Sequence, residues 1–482
     1  MIQNATQNSF YRRAESEIRL AFLAINCFGM GIIMKNEEAL GKEKMWKLIA
    51  GMTIPSILAQ IVNLLYNIVD RMYIGNMPDI GRNALAGLGL CIPIITLISA
   101  FSSFVSGGGA PLASRALGAN DKEKAREILG NGTFLLLVFS ITLSLAAYIV
   151  KTPVLYLIGA SEVTYGYAND YLSIYLIGTV FVQISIGLNT FLSAQGKSTH
   201  AMISTLIGAL LNIALDPLFI FVFNMGVKGA AFATIISQAV SSVWVLRVLT
   251  DKETPLRLIP RYMKPKLKTI LNIFALGIAS FVMTATESMI GFVLNGRLKY
   301  YGGDIHVSTL AILQSVMMLI STPITGYTQG VTPILSYSFG AKNLERLKDC
   351  YYKTLAVSFS FCMIFALIMM LFPYPFVRMF TSDSELIALS VKYLPVFVAG
   401  MLIFGIQRAC QTTFVAIGEA GISLFIAVLR KLILLIPFAY LFSHLFGVSG
   451  VYYAECVADM MSATICGTIF FFRFKKVLLE LK

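Results

Sequence analysis

Residues 210–221 read LLNIALDPLFIF, and this stretch sets an amide, Asn212, and a carboxylate, Asp216, four residues apart in an otherwise apolar run. That spacing puts both side chains on one face of a helix. A carboxylate in such surroundings costs free energy unless a partner offsets it. Pro217 removes a backbone donor and frees the carbonyl of Ile213. A free carbonyl at membrane depth persists only where it lines a cavity or binds something. Two more polar groups belong with this set: Asp70 in NIVDRMYIG and Thr234 in GAAFAT. Two carboxylates, an amide oxygen, a hydroxyl and a spare carbonyl form a hard-oxygen set that suits a small hard cation. The same two carboxylates suit a shared proton, because neighbouring like charges do not both ionise cheaply. The plainer role for each aspartate is a hydrogen bond to an adjoining helix, and Asp70 has Arg71 beside it.

The elements that must position these groups are membrane spans. The chain of 482 residues is 57% hydrophobic and 13% charged, with a mean hydropathy of +0.76. Soluble chains carry about 25% charged residues. Apolar runs of about 20 residues, the length of one crossing, recur near 48–74, 84–110, 127–150, 168–194, 201–223, 229–249, 270–296, 307–334, 351–374, 389–416, 420–444 and 449–472. These twelve runs predict an all-α polytopic membrane protein. Asp216 lies shortly before Asn224, where the fifth run ends. Thr234 lies shortly after Gly226, where the sixth begins, and Asp70 shortly before Gly75 at the end of the first. At 1.5 Å per residue the three groups sit roughly 7–12 Å below the same surface, so three spans can converge at one depth.

Charge sets the orientation. With a cytosolic N-terminus, 24 Lys and Arg residues fall on the cytosolic side and 7 on the outer side. This is the positive-inside bias. It predicts a multi-pass plasma-membrane protein with both termini cytosolic. It also accounts for the net charge of +13 without a nucleic-acid partner. Residues 1–33 hold an apolar run too short to span, and Met34 opens MKNEEALGKEKMWKLI. The first 33 residues therefore read as a mis-assigned start or a leader.

The chain repeats itself at an offset of 222 residues. GGAPLASRALGA (108–119) returns as GVTPILSYSFGA (330–341), and the same register pairs Pro153 with Pro375, Tyr171 with Tyr393, Gly178 with Gly400 and Gly196 with Gly418. One step shorter, MGVKGAAFAT (225–234) meets FGVSGVYYAE (446–455). The predicted organisation is an N-terminal cytosolic segment (1–44), a first lobe of six spans (45–250), a basic linker (251–269), a second lobe (270–474) and a short tail (475–482). Six spans per copy is even, so both lobes enter the membrane in the same sense, with a cavity between them. The polar set is not duplicated: Asp216 pairs with Phe438, Asn212 with Leu434, and Asp70 with Leu294 or Asn295.

NIVDRMYIG, NIALDP, GAAFAT and the GGGAPLASRALGA loop resemble the multidrug and toxic compound extrusion (MATE) family, over roughly residues 40–475. The resemblance implies a twelve-helix secondary antiporter that expels small organic cations in exchange for sodium ions or protons. It implies no resident cofactor, and the chain is expected to act as a monomer in the bilayer. It places Asp70, Asn212, Asp216 and Thr234 at the coupling-ion site. Glu287, in the seventh span, matches an acidic residue of some branches and is expected at the substrate cavity. The tenth span departs from the pattern, with Arg408 where some members carry an aspartate. Arg430 and Lys431, with Glu455 and Asp459, are expected either as an ion pair inside the bundle or as substrate ligands. Many Met and aromatic residues suit a surface that repacks around varied ligands, and suit plain core or lipid contact as well.

Enzymes have little support. There is no H-E-x-x-H or G-x-S-x-G motif, and His200, His306 and His444 are scattered. Seven cysteines form no C-x-x-C pair, which argues against a disulfide framework or zinc site. A flippase for lipid-linked oligosaccharides shares this architecture and is the nearer alternative. It would need a cavity lined by several cations for phosphate, whereas the candidates here are acidic.

Overall fold

The computed structural model describes residues 37–77 and 80–480. The expectations for residues 1–33 fall outside these. Among the described residues there is no strand. Among these residues ten helices are long and apolar enough to cross a membrane, and two bent pairs, each taken as one span, bring the total to twelve. The first lobe holds Met45–Gly75, Gly81–Gly118, Lys122–Ile158, the pair Glu162–Ile177 and Thr179–Ala194, Ser198–Pro217, and Val227–Thr250. The second holds Leu267–Gly302, Asp304–Gly340, Leu344–Leu371, the pair Ser384–Ala399 and Met401–Ile417, Ala420–Phe446, and Val448–Glu480.

Several spans outrun the apolar runs that marked them. The second and eighth continue through GGAPLASRALG and GVTPILSYSFG to Gly118 and Gly340, where small residues and a buried proline end the hydropathy signal but not the helix. The twelfth runs on to Glu480, so residues 475–480 continue a helix and do not form a separate tail.

The repeat register locates the breaks. The fourth span bends by 61° and the tenth by 42°, each at a glycine that the repeat pairs: Gly178 and Gly400. Both glycines sit where a neighbouring helix leaves no room for a side chain. A Cβ on Gly178 would meet Ile235 of the sixth span, and one on Gly400 would lie 2.6 Å from Asp459 Cβ of the twelfth.

The lobes join at the basic end of the bundle. There, Leu40, Met45, Leu48, Ile49 and Met52 of the first span and the segment before it pack into the core of the second lobe. Ile273 of the seventh span packs into the core of the first. At its other end the first span returns to its own lobe, where Tyr73 and Ile74 meet Leu172, Ile220 and Val227. Glycines let backbones touch across this join. A Cβ on Gly108 would strike the seventh span at Ile273 and Gly277, and one on Gly330 would strike the first span at Met52 and Thr53. Gly118 meets Tyr337 and Ala341, while Gly340 meets Arg115. The Arg115 guanidinium also lies 4.8 Å from the centre of the Phe339 ring.

The linker is strapped to the third span. Lys266 N–H donates to Asn131 Oδ1 at 2.7 Å, and Asn131 Nδ2 donates to the Tyr262 carbonyl at 3.2 Å. Glu127 pairs with Lys124 at 2.5 Å and with Lys266 at 2.6 Å. Arg126 Nε donates to the Pro255 carbonyl at 3.1 Å, and Leu256 is fully buried.

Candidate functional site

The expected coupling residues meet. Asn212 and Asp216 lie on the last two α-turns of the fifth span, ahead of a π-helical segment, Leu218–Val222. Such segments often occur beside functional groups. Asn212 Nδ2 donates to Asp216 Oδ1 at 3.2 Å and reaches Thr234 Oγ1 of the sixth span at 3.5 Å. Thr234 donates in turn to the Ala230 carbonyl at 3.0 Å. The Asp70 carboxyl, from the first span, lies beside that of Asp216.

Asp216 and Asn212 are buried. Three oxygens of the cluster, Asp70 Oδ1, Asn212 Oδ1 and Asp216 Oδ2, have no hydrogen-bond donor among the described residues. Buried acceptors left unpaired are costly, and the arrangement can accept positive charge: a proton between the carboxyls, or a small cation on the oxygens. Three tyrosines enclose it. Tyr66, one turn before Asp70 on the first span, lies close to both carboxylates, and Tyr171 of the fourth span lies close to Asp70 and Thr234. Tyr175 stacks on Tyr171 with ring centres 6.2 Å apart. These rings escaped the sequence reading. Tyrosine is common in spans, and only the repeat pair Tyr171 and Tyr393 hinted at one of them.

The second lobe fills the corresponding place differently. In the register of the last span pair, Glu455 stands where Thr234 does. Arg430 Nε lies 2.6 Å from Asp459 Oδ1, and its Nη2 lies 3.9 Å from Glu455 Oε1. Lys431 Nζ lies 3.1 Å from Glu287 Oε1. Arg430 and Lys431 sit in a second π-helical segment, Leu429–Leu435, which turns two consecutive cations toward different partners. Glu287 is mostly exposed and committed to Lys431. It lies one turn beyond Met283 and Thr284, which line the central cavity, and is not itself in the lining.

That cavity lies between the lobes, with a volume of about 350 Å³. It is walled by Gln60 of the first span, Ser106 and Ser114 of the second, Asn189 and Thr190 of the fourth, Met202 of the fifth, Met283 of the seventh, and Thr325 and Gln329 of the eighth. Arg408 and Gln411 of the tenth span complete it. The glycine contacts at the basic end close the space below it. Toward the other end of the first span, Asn63, Leu65, Asn67, Ile68, Arg71 and Met72 are exposed.

The MatE family model matches the chain twice, over residues 55–218 and 279–441, one match per lobe. The chain is similar to the Multidrug export protein MepA of Staphylococcus haemolyticus, 26% identical over 435 residues, covering 89% of this chain and 94% of that protein. MepA of Staphylococcus aureus (strain N315) is 26% identical over 440 residues, covering 89% and 95%. Among solved structures, a crystal structure of MATE in the bent conformation superposes with a TM-score of 0.87 at 25% identity, over 93% of this chain and 99% of that one. An outward-facing multidrug resistance MATE family transporter of the MOP superfamily gives 0.83 at 24%, over 93% and 98%.

Proposed function

The chain belongs to the MatE family of multidrug efflux transporters, and from that premise we propose that it exports small organic cations in exchange for one sodium ion or proton. The observation that carries this reading is the Asp70–Asp216 pair, whose two orphaned oxygens, with Asn212 Oδ1 beside them, sit in one lobe next to a cavity shared by both. A cation entering the cluster offsets the repulsion of the two carboxylates and draws the first, fifth and sixth spans together. Losing it releases them. Because the first span begins in the core of the second lobe and ends in the core of the first, that movement is passed to the inter-lobe seal. This supports alternating access by rocking of the two lobes. The orientation follows from the positive-inside bias: the glycine seal is cytosolic. One cationic side chain in the cavity wall, rather than a basic stripe, weighs against a phosphate-bearing glycolipid.

The test is ethidium uptake into everted vesicles under imposed sodium and proton gradients applied separately. Transport driven by at least one gradient is expected. Indifference to both overturns antiport. Thr234→Ala then separates the ions. A hydroxyl can ligate sodium but is dispensable for carrying a proton, so the variant should need a several-fold higher sodium concentration while keeping proton-driven transport. Equal loss of both modes would leave Thr234 a purely structural residue.

A further inference from the structure

The twelfth span carries a stripe that the export reading does not use. Thr464, Gly467, Thr468 and Phe471 recur at intervals of three and four residues, which puts them on one helix face. With Ile403 and Ile406 of the tenth span they line a groove of about 470 Å³ between the two helices, away from the central cavity. A close approach sets its floor: a Cβ on Gly467 would lie 3.3 Å from Ile406 Cγ2. Both threonine hydroxyls donate back to their own helix, Thr464 to the Met460 carbonyl at 2.8 Å and Thr468 to the Thr464 carbonyl at 2.9 Å. The groove therefore presents methyl groups and a ring, and suits hydrocarbon. Ile403 and Ile406 stand in the half of the tenth span that follows the bend at Gly400, and the same half-helix carries Arg408 and Gln411 into the cavity wall. Whatever fills the groove presses on the lipid side of a helix that also walls the cavity.

The stripe ends on charge. Lys475 and Lys476 continue it toward the end of the helix, are exposed, and make no ion pair among the described residues. The neighbouring acids are taken: Arg473 holds Glu419 at 2.7 Å and Glu480 at 3.8 Å. The eleven residues from Thr464 to Lys475 cover about 16 Å along the helix axis. The hydrocarbon of one leaflet is about 15 Å thick. A chain lying in the groove therefore brings its headgroup level with the two lysines. A second copy of the protein suits the groove poorly. Ala463 and Gly467 have the small-residue spacing of paired helices, but a copy related by an axis along the membrane normal would set both lysine pairs side by side, like charge on like. We propose that this groove holds an anionic phospholipid from the leaflet at the linker end, the cytosolic one in the orientation above. One acyl chain lies along Gly467 and Phe471, and the headgroup phosphate sits on Lys475 and Lys476.

A fluorescent reporter in the groove tests it on the full chain. Phe471→Trp, combined with Trp46→Phe and Trp244→Phe, leaves one tryptophan, at the groove. The protein is reconstituted in phosphatidylcholine vesicles in which part of the lipid is replaced by brominated phosphatidylglycerol or brominated phosphatidylcholine, with bromine at the same depth in both. The anionic lipid should reach half-maximal quenching at about one-tenth of the mole fraction that the zwitterionic one needs. Lys475→Gln with Lys476→Gln should bring the two lipids within twofold of each other, while the phosphatidylcholine curve stays put and so checks the fold. Lys264→Gln with Lys268→Gln removes the same charge from the linker and the start of the seventh span, and should leave the tenfold preference intact. The proposal is overturned if both lipids quench the reporter equally, or if the preference survives the loss of Lys475 and Lys476. It is overturned as well if the linker pair abolishes the preference to the same degree, because the attraction is then general to the basic surface. If neither lipid quenches the reporter until the protein is diluted in lipid, a second copy covers the groove and the assignment to a phospholipid is wrong.

Discussion

Asp216→Asn isolates the coupling step. The amide has the size of the carboxylate, and its oxygen still accepts from Asn212, which donates to Asp216 at 3.2 Å in the native protein. The fold is therefore expected to survive. What disappears is the facing pair: Asp70 is left opposite an amide that cannot share a proton or balance a cation. The first lobe holds one such pair. In the second lobe Phe438 stands in the place of Asp216, and the acids there are occupied by Arg430. In the proposed cycle one pair binds one monovalent charge. At zero membrane potential, a tenfold gradient of the coupling ion then supplies about 1.4 kcal/mol for each substrate moved, which sustains about a tenfold substrate gradient. Proteoliposomes with potassium and valinomycin clamping the potential, loaded with ethidium against a tenfold ion gradient, measure the plateau directly. The wild-type protein should settle near tenfold and Asp216→Asn near unity. A variant that still reaches the wild-type plateau would refute the role of the pair. A wild-type plateau near a hundredfold would refute the one-charge count, because it requires a second ion.

Two further changes probe the scaffold. Gly340→Val sets a branched side chain against the Arg115 backbone, so the seal, cytosolic in the proposed orientation, should fail to close. Transport should drop at least tenfold, and a cysteine placed at Ser114 in the cavity wall should become reactive from the cytosolic side; unchanged labelling would show that the seal lies elsewhere. Arg430→Met leaves Glu455 and Asp459 buried without a cation, at a cost of about 3–5 kcal/mol. The purified protein should melt at a lower temperature and regain most of the loss when Glu455→Gln and Asp459→Asn are added. An unshifted midpoint would show that the cluster is not what holds the eleventh and twelfth spans together.

Much of the fold was legible because hydropathy and repetition are properties of one chain read in order. Twelve spans, two lobes and the paired glycines that prove to be bends all follow from runs and offsets. So does the Asp70, Asn212, Asp216 and Thr234 set, since depth alone brings those residues level. The span ends were misread wherever a helix continues through small residues against another backbone, as at Gly118 and Gly340: the packing partner that keeps them helical lies in the other lobe. That Glu287 and Lys431 pair with each other was hidden for a related reason. They are 144 residues apart, and no periodicity reveals that a π-helical segment turns Lys431 toward the seventh span. The tyrosines around the carboxylates were hidden by their own commonness.

The seal between the lobes has a symmetry of its own. Gly118 lies against Tyr337 and Gly340 against Arg115, and a shift of 222 residues carries the first contact onto the second. Gly108 and Gly330 repeat the exchange on the seventh and first spans. Each copy thus presents the same surface to the other, which is the isologous contact of a two-fold dimer. A single substitution in that surface spoils only one of two equivalent clasps, whereas a separate six-span protein would suffer it in both. Joining the copies into one chain uncouples the two halves of the interface, and the cores behind them as well. That freedom is what allows one lobe to keep an unpaired carboxylate site while the other closes the same space with ion pairs.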